Sequence, residues 1–327
     1  MRIPESAPVI QAHDLRRTFG NRRGQVVEAV AGIDFEVEHG SIFGFLGPNG
    51  AGKTTTLRML VTLLIPTSGD ALVAGFSLLR QPERVRERIG YVGQTGGTDR
   101  SVSGRAELEF QGRLYGMSAR DSRRRAIELI ETFELEGCAD RVTETYSGGQ
   151  RRRLDVALGL VNKPDVLFLD EPTTGLDPQS RARMWDEVKR LRDRGTTVFL
   201  TTHYLEEADA LCDRLAIIDH GLIVAGGTPE ELKRGIAGDV VTLGVPRDRQ
   251  AALDALRSQP FVRQYDPLDP SGSAIRVYVG RGETAIPAIL RVLEHNGILL
   301  ETVTLSRPTL DDVFLQQTGR SLREEAA

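Results

Sequence analysis

The stretch GFLGPNGAGKTTTLRML, residues 44–60, joins an apolar segment to a helix-like segment through a loop rich in glycine. Within it, Gly47 is followed after four residues by Gly52, Lys53 and Thr54, which is the spacing G-x-x-x-x-G-K-[ST] of a phosphate-binding loop. Glycine permits backbone angles that a Cβ would forbid, so the N–H groups of such a loop can turn inward around phosphate oxygens. The loop therefore predicts a site for a nucleoside triphosphate.

The flanking segments have the character that such a loop requires. The segment SIFGFLG before it predicts a buried strand, and TTTLRMLVTLL after it predicts a helix that continues to Leu64 and stops before Pro66. Lys53 supplies a point charge for the β- and γ-phosphates, and the hydroxyl of Thr54 suits Mg²⁺. The residues expected to surround the nucleotide phosphates are Gly47, Pro48, Asn49, Gly50, Ala51, Gly52, Lys53, Thr54 and Thr55.

A second motif is VLFLDEPTTGLDP, residues 166–178. It begins with four apolar residues, and two acidic residues follow them directly. Asp170 and Glu171 come at the end of this predicted parallel strand, where open α/β sheets bind their ligands. Asp170 is expected to hold Mg²⁺, directly or through water. Glu171 is expected to act as general base or to orient the attacking water. Next to a phosphate-binding loop, this pair favours hydrolysis over a simple strand cap.

The sequence YSGGQRRRLDVALGLV contains a second pair of glycines, at the start of a predicted helix. Ser147 is a favourable N-cap, and Gln150 three residues later completes a capping box. Gly148 and Gly149 leave the helix N-terminus free of side chains, so its N–H groups can bind an anion. We expect the three arginines at 151–153 to lie on a solvated face of the helix.

Composition narrows the class of protein. The 327 residues suggest two domains, and 40% hydrophobic residues suffice for substantial cores. A net charge of −4 with a pI near 5.9 argues against a nucleic-acid partner. Cys138 and Cys212 form no disulfide framework, which favours a reduced cytosolic chain. The N-terminus lacks a signal-peptide pattern and no apolar run is long enough for a bilayer, so we expect any membrane passage to belong to another chain.

The order of predicted elements divides the chain in two. Residues 1–236 alternate strand-like and helix-like segments, which favours a mainly parallel sheet with helices packed on it. A polar, helix-rich insertion at about 95–163 interrupts this alternation. Residues 237–327 predict a small α+β domain of alternating elements, with a ferredoxin-like order as one possibility. The sequence does not distinguish a dimerising from a regulatory role for this second domain.

The stretches GPNGAGKT, YSGGQ, VLFLDEP, GLDP and TTH occur in this order and together resemble the nucleotide-binding subunit of ABC transporters. The resemblance covers residues 9 to about 235. It implies an α/β P-loop NTPase of the ABC ATPase type, with a parallel-sheet core and a helical subdomain. Gln94 in YVGQ then corresponds to the Q-loop glutamine, which senses Mg²⁺ and contacts the membrane subunit.

The same resemblance assigns further residues to ATP hydrolysis. His203 corresponds to the switch histidine, Asp177 to the D-loop aspartate, and Asp170 and Glu171 to the Walker B aspartate and the catalytic glutamate. Phe19 in LRRTFG is expected to stack on adenine, although tyrosine is commoner there. The implied catalytic residues are Glu171, His203, Lys53 and Gln94. The implied metal ligands are Thr54, Gln94 and Asp170.

The resemblance also implies partners and a location. In this family two subunits pack head to tail, and each ATP lies between the phosphate loop of one subunit and the signature of the other, here Ser147, Gly148, Gly149 and Gln150. We therefore expect ATP and Mg²⁺ as cofactors and a second ATP-binding subunit, another copy of this chain. We also expect a separate transmembrane permease, with this chain peripheral at the cytoplasmic face of the cell membrane.

The C-terminal sequence RPTLDDVFLQQTG resembles the tail of ATPases from bacterial drug and antibiotic exporters of the daunorubicin-resistance type. Its local pattern predicts a helix capped by Thr309, with Asp312 at the third position and Val313 and Phe314 packed inward. The resemblance implies an ATPase that energises export of drugs, antibiotics or lipid-like compounds, while the compound itself does not follow. In this family the exported molecule contacts the permease.

Three other functions remain open at this point. One is a soluble ABC-type ATPase of DNA repair or chromosome structure, and another is an ABC-type translation factor acting on ribosomes. The first usually has long coiled coils and the second tandem cassettes, whereas this chain has one phosphate loop, one signature and no sustained heptads. The third is a regulatory nucleotide binder, which has less need of both Glu171 and His203.

Overall fold

The structure, a computed structural model, describes residues 7–20, 26–236, 238–266 and 274–319. The chain forms two compact units that divide between Pro229 and Glu230. The division precedes nearly all of helix Pro229–Gly235, which the sequence pattern assigned to the first domain. None of the helices in the described residues combines the length and the apolar character that a bilayer span requires.

The first unit is built from strands and helices in alternation. Its strands are β1 (Ile10–Gly20), β2 (Val26–Val37), β3 (Ile42–Leu46), β4 (Ser68–Val73), β5 (Phe76–Ser77), β6 (Ile89–Val92), β7 (Val166–Asp170), β8 (Thr197–Thr202), β9 (Arg214–Asp219) and β10 (Leu222–Gly227). Its helices are α1 (Lys53–Leu60), α2 (Pro82–Arg88), α3 (Gly104–Leu114), α4 (Ala119–Thr132), α5 (Gly148–Gly159), α6 (Pro178–Asp193) and α7 (Leu205–Leu211).

A six-stranded sheet carries the phosphate-binding loop and the acidic pair. Its order is β10-β9-β3-β8-β7-β6, parallel from β9 to β6, with β10 antiparallel at the edge. β3, β7 and β8 are buried along their whole length, as expected for parallel strands covered on both faces. The predicted parallel-sheet core is confirmed. Only β8 separates the carboxyl ends of β3 and β7, so the two motifs lie near each other.

The first unit also has a second, antiparallel sheet of order β2-β1-β4-β5, which was not predicted from the sequence. β1 pairs with β2 and β4, and register shifts interrupt both ladders. These irregular strands alternate poorly between buried and exposed positions, because each bulge moves the following side chains to the opposite face. The prediction of a mainly parallel sheet therefore holds for the six-stranded sheet alone.

Helix α1 is shorter than its sequence predicted. It ends at Leu60 instead of continuing to Leu64, because Thr62 adopts a left-handed conformation with φ of 62°. The N–H groups of Leu63 and Leu64 both bond to the carbonyl of Arg58, which closes the last turn. Leu64 still packs partly buried against the core.

The predicted helical insertion forms three α-helices and one turn of 3-10 helix, Thr143–Thr145, between β6 and β7. α4 lies within this predicted helix-rich insertion and begins after Ser118, whose hydroxyl accepts a hydrogen bond from the Asp121 N–H at 3.1 Å. α5 carries the signature at its first turn and packs against β6. There a Cβ on Gly90 would lie 1.9 Å from the carbonyl oxygen of Gly159. This close approach places the last turn of α5, at the end of the insertion, directly against the parallel sheet.

The second unit has its own sheet and its own core. Its strands are β11 (Asp239–Gly244), β12 (Val262–Asp266), β13 (Ala274–Val279) and β14 (Thr302–Ser306). Its helices are α8 (Pro229–Gly235), α9 (Arg249–Arg257), α10 (Gly282–His295) and α11 (Leu310–Thr318). From β11 to β14 the order of elements is βαββαβ, and the strands pair antiparallel as β12-β13-β11-β14. This is the ferredoxin-like arrangement.

Two details of this unit bear on the sequence predictions. Strand β12 was not predicted from the sequence. The tail helix α11 and its capping box were predicted and are confirmed. The Thr309 N–H donates to Asp312 Oδ2 at 2.7 Å, and the Thr309 hydroxyl contacts the same oxygen at 2.7 Å. Val313 and Phe314 are buried. The guanidinium of Arg276 and the hydroxyl of Tyr278 also bond to Asp312, which ties α11 to β13.

The core of the six-stranded sheet contains a group of phenylalanine rings. Phe199 lies among four of them, with centroids 5.0 Å from Phe45, 5.4 Å from Phe168, 5.7 Å from Phe43 and 6.0 Å from Phe35. These rings come from β2, β3, β7 and β8. Phe199 therefore packs together the strands whose ends carry the site.

Replacing Phe199 by alanine should lower the free energy of unfolding of the first unit by about 3–5 kcal/mol, because it opens a cavity where several rings meet. The matched control is Phe110→Ala, since that ring is 61% exposed and its loss should cost less than about 0.5 kcal/mol. Denaturant titration followed by circular dichroism measures both. Equal losses would contradict the packing role of Phe199.

Candidate functional site

The phosphate-binding loop lies so close to its neighbours that its glycines are required. A Cβ on Gly47 would lie 2.2 Å from the carbonyl oxygen of Ile218 in β9. Gly52 has a φ of 106°, and its Cβ would lie 2.4 Å from the carbonyl oxygen of Ala29. Side chains at these positions would push the loop away from the sheet. The loop conformation thus depends on both glycines of the motif.

Lys53 opens α1 and is 4% exposed. Its Nζ donates to the carbonyl oxygens of Gly47 at 2.7 Å and Pro48 at 3.0 Å, and lies 3.5 Å from Glu171 Oε1. Burial lowers the pKa of Lys53 below its usual range, and the carboxylate of Glu171 opposes that shift. The ammonium group of Lys53 therefore places a positive charge between the loop and the acidic pair.

Asp170 is the last residue of β7, and its carboxylate accepts hydrogen bonds from two threonine hydroxyl groups. Thr54 Oγ1 donates to Asp170 Oδ1 at 3.0 Å, and Thr201 Oγ1 donates to the same oxygen at 2.6 Å. This arrangement places the predicted metal ligands Thr54 and Asp170 in direct contact. They come from α1 and from the end of β7, and the threonine of β8 fixes the carboxylate between them.

Glu171 is the centre of the site. Its Oε2 lies 3.3 Å from His203 Nδ1 and accepts hydrogen bonds from Gln94 Nε2 at 3.1 Å and from the Thr174 hydroxyl at 3.2 Å. Its backbone has a φ of 46°, an unusual conformation for a residue with a side chain. The N–H of Glu171 bonds to the Thr201 carbonyl at 3.1 Å, which holds that conformation in place.

The surroundings of Glu171 keep its side chain ionised. Burial by itself raises the pKa of this carboxyl, but His203 and Lys53, together with the Thr174 hydroxyl, hold it below its usual range. The carboxylate can therefore accept a hydrogen bond from water at neutral pH. The predicted residues that the structure brings into this single cluster are Lys53, Thr54, Gln94, Asp170, Glu171 and His203.

The signature residues lie at the N-terminus of α5, where the predicted capping box is confirmed. The Gln150 N–H donates to Ser147 Oγ at 3.2 Å, and the Ser147 N–H donates to Gln150 Oε1 at 3.0 Å. A Cβ on Gly148 would meet no atom within 4 Å, so this helix end opens to solvent. Gly149 lies against Ser180 of α6, whose Oγ would be 2.8 Å from an added Cβ.

Asp177 caps the helix that packs beside the signature. Its carboxylate accepts the Ser180 N–H at 2.9 Å and the Ser180 hydroxyl at 2.6 Å, and these bonds lower the pKa of Asp177. Ser180 therefore contacts both the predicted D-loop aspartate and the signature helix. The structure places Asp177 near Gly149 by this route.

Phe19 lies on β1, in the antiparallel sheet, and is 39% exposed. The guanidinium carbon of Arg17 lies over its ring, 4.7 Å from the centroid. The ring is therefore a partly open aromatic surface with a cation on one face. Residues 21–25, which follow β1, lie outside the described part of the chain.

The structure corrects the prediction that all three arginines of the signature helix are solvated. Arg152 is 7% exposed. Its guanidinium donates to three carbonyl oxygens, those of Pro172 at 2.7 Å, Gly93 at 2.7 Å and Asp170 at 3.1 Å. Arg152 lies on the face of α5 that packs on the sheet. Its hydrogen bonds therefore connect α5 to the residues beside Gln94 and Glu171.

Thr201 and Thr174 donate hydrogen bonds to the acidic pair and were not predicted from the sequence. Thr201 belongs to the TTH motif, but only the histidine of that motif was assigned a role. Thr174 lies in the loop after Glu171. A hydroxyl residue within a recognised motif was the available signal for both, whereas no local pattern marks Arg152 as buried.

The oxygen ligands at the site fit Mg²⁺. Thr54 and Asp170 offer a hydroxyl and a carboxylate, and Mg²⁺ prefers oxygen ligands and commonly binds one or two carboxylates together with substrate phosphates. Among the described residues, no three His, Cys, Asp or Glu side chains are grouped to hold a metal. Thr54 and Asp170 thus offer two oxygen ligands to an ion that bound phosphates would also contact.

Family models agree with this architecture in both units. A model described as ABC transporter matches residues 30–174, which include the phosphate-binding loop and the acidic pair. A model described as ATP-binding protein DrrA1-3-like, C-terminal domain, matches residues 227–318. The second match covers the ferredoxin-like unit and its tail helix.

Whole-chain relatives give the same result. The chain is 43% identical over 311 residues to the daunorubicin resistance ATP-binding protein DrrA2 of Streptomyces coeruleorubidus, covering 95% of each chain. It is 40% identical over 321 residues to the Nod factor export ATP-binding protein I of Ralstonia nicotianae, covering 98% of this chain and 96% of the relative.

Among solved structures, an ATP-binding subunit of an ABC transporter superposes with a TM-score of 0.60 at 26% identity. The match covers 69% of this chain and 92% of that chain. With the phosphate-binding loop, the acidic pair and the signature helix in one fold, this chain belongs to the ATP-binding subunits of ABC transporters, in the daunorubicin-resistance group, and is an ABC-type ATPase.

Proposed function

We propose that this chain binds Mg-ATP at the cluster around Glu171 and energises a membrane exporter of drug-like or lipid-like compounds. One observation carries the proposal. The carboxylate of Glu171 lies within 3.5 Å of Lys53, Gln94 and His203, beside the Thr54–Asp170 pair and the phosphate-binding loop. Such a cluster places positive charge, oxygen ligands and a water-binding carboxylate around one point.

Each residue then has a role in hydrolysis. The loop N–H groups and Lys53 bind the β- and γ-phosphates, and Thr54 with Asp170 would hold Mg²⁺. When bound, Mg²⁺ neutralises charge that develops on those phosphates. Glu171 accepts a hydrogen bond from the attacking water and directs it in line with the γ-phosphate. His203 and Lys53 stabilise the charge that develops during transfer.

Two further contacts complete the nucleotide site in this proposal. Gln94 bonds to Glu171 and is placed to respond to the Mg²⁺ ligands beside it. Phe19 would offer its partly exposed ring to adenine, while the Arg17 guanidinium lies over one face of the same ring. The stacking of Phe19 on adenine is a prediction from the resemblance.

The open N-terminus of α5 supports a dimer. A helix end with exposed N–H groups attracts an anion, and Gly148 leaves this end unobstructed. We propose that it faces the γ-phosphate of an ATP bound to a second copy, with Asp177 beside it, in a pair with two-fold symmetry. ATP would favour the closed pair, and hydrolysis would remove that preference.

The membrane partner and the cargo belong to the proposal as well. The chain would act at the cytoplasmic face of the cell membrane with a separate permease, which contacts the exported compound. The relatives named for daunorubicin resistance and for Nod factor export concern chemically different compounds. That diversity supports a shared export function and leaves the compound unnamed. No feature of the site favours a second function.

Co-purification tests the function directly. The Glu171→Gln chain should be isolated from its native membranes with ATP present, and the material that accompanies it identified by mass spectrometry. We expect a stoichiometric polytopic membrane protein, and less of it without ATP. Ribosomes or DNA in place of a membrane protein would move the chain to the soluble class of ABC ATPases and overturn the export proposal.

Glu171→Gln should lower kcat for ATP hydrolysis by about 100-fold or more, because an amide cannot accept the proton of the attacking water. Binding of Mg-ATP should be retained, since the loop is intact. The matched control is Glu206→Gln, an exposed residue near His203, which should leave kcat unchanged. Turnover and nucleotide affinity are measured on the same preparations. Normal turnover by Glu171→Gln would refute its role.

Arg152→Lys should lower kcat by roughly 10- to 100-fold, because an ammonium cannot bond to all three carbonyls and the residues beside Gln94 and Glu171 would shift. KM for ATP should change little, since Arg152 lies outside the phosphate-binding loop. The control is Arg153→Lys, whose guanidinium bonds to the Phe133 carbonyl in the helical insertion. If both variants lost activity alike, Arg152 would have no special positioning role.

A further inference from the structure

Strand β14 forms one edge of the sheet in the second unit. Within the described residues it pairs on one side only, with β11, and its register with β11 runs without a bulge. The opposite edge, β12, has a register shift between Val262 and Gln264. Bulges are one means by which proteins prevent an edge from pairing. β14 lacks that protection, and it contains no proline or charged residue.

The strand is also accessible along its length. Thr302, Thr304, Leu305 and Ser306 are exposed, and Leu305 retains 41% of its surface. An exposed, uncharged edge strand can form backbone hydrogen bonds with another strand.

The sequence around β14 is complementary to itself. It reads Glu301-Thr-Val-Thr304-Leu-Ser-Arg307, with opposite charges at its two ends. In an antiparallel pair of two such strands centred on Thr304, Glu301 of each copy lies opposite Arg307 of the other. Thr302 then lies opposite Ser306, and Val303 opposite Leu305. Opposite charges, paired hydroxyls and paired apolar side chains each stabilise neighbouring strands.

Only this register pairs the charges. Moving the two-fold axis to Val303 would place Glu301 opposite Leu305, and moving it to Leu305 would place Arg307 opposite Val303. Both alternatives leave a charge opposite an apolar side chain. The edge therefore favours one isologous pairing, in which both copies use the same surface.

We propose that β14 pairs antiparallel with β14 of a second copy, in the register centred on Thr304, to form a continuous eight-stranded sheet. The contact requires no nucleotide. It is thus separate from the ATP-dependent pairing proposed above, and it would keep two copies at high local concentration between cycles of ATP binding. The second unit then acts as a dimerisation module.

Disulfide formation in the full chain without nucleotide tests the register. Thr304→Cys should form a cross-linked dimer under mild oxidation, because directly opposite residues have Cα atoms about 4.5–5.5 Å apart. The wild-type chain is the background control, since Cys138 and Cys212 are both buried. Non-reducing electrophoresis follows the rate.

A second pair of variants excludes random collision. Thr302→Cys alone should not cross-link, because the two copies of that residue would lie about 13 Å apart. A mixture of the Thr302→Cys and Ser306→Cys chains should cross-link only as the mixed dimer. Cross-linking of Thr302→Cys as fast as Thr304→Cys, or failure of Thr304→Cys to exceed the background, would overturn the proposal.

The charge pair provides an independent measurement. In the Thr304→Cys background, Glu301→Arg should slow cross-linking by roughly 3- to 10-fold, because two arginines would face each other at each end. Adding Arg307→Glu should restore the rate. Unrestored cross-linking would contradict the pairing of these two residues. ATP plays no part in the assay, so a negative result would leave the proposed export function and the ATP-dependent pairing intact.

Discussion

The contact between Lys53 and Glu171 is the constraint on which the site depends. The two side chains are 4% and 7% exposed, and their charged atoms are 3.5 Å apart. Either charge would be costly to bury alone, and removing one would leave the other uncompensated. The start of α1 and the end of β7 must therefore stay together. Their neighbours follow from this: Thr54 reaches Asp170 because it is next to Lys53, and Gln94 and His203 complete the ring around Glu171.

Arg152 extends that constraint to the signature helix. Three carbonyl oxygens from the loops beside Gln94 and Glu171 converge on one guanidinium. A buried carbonyl without a partner is costly, so these loops and α5 are held in one arrangement. The exposed end of the same helix is the part that would meet a second copy. The chain thus has a rigid connection between the residues that would act on ATP and the surface that would contact a partner.

The two units expose different parts of their sheets. The first presents side chains at the ends of its strands, and the second exposes a strand at its edge. In the first, the carboxyl ends of parallel strands gather charged and hydroxyl side chains at one point, which suits a phosphorylated ligand. In the second, the antiparallel sheet has an apolar core under one face, and its edge strand β14 pairs on one side only within the described part of the chain. The first arrangement suits a reaction on a phosphorylated ligand, and the second suits backbone pairing with another strand.

Much of this was determined by the sequence alone. The glycine spacing of the phosphate-binding loop, the acidic pair after an apolar strand, and the capping boxes at Ser147 and Thr309 are local patterns, and local geometry is enough to specify them. The tertiary structure decided the rest. Arg152 is buried because α5 packs on the sheet, β12 forms because β13 offers it an edge, and α1 stops at Leu60 because Thr62 adopts a left-handed conformation. These outcomes depend on partners distant in sequence or on backbone conformation, neither of which leaves a periodic pattern in the residues themselves.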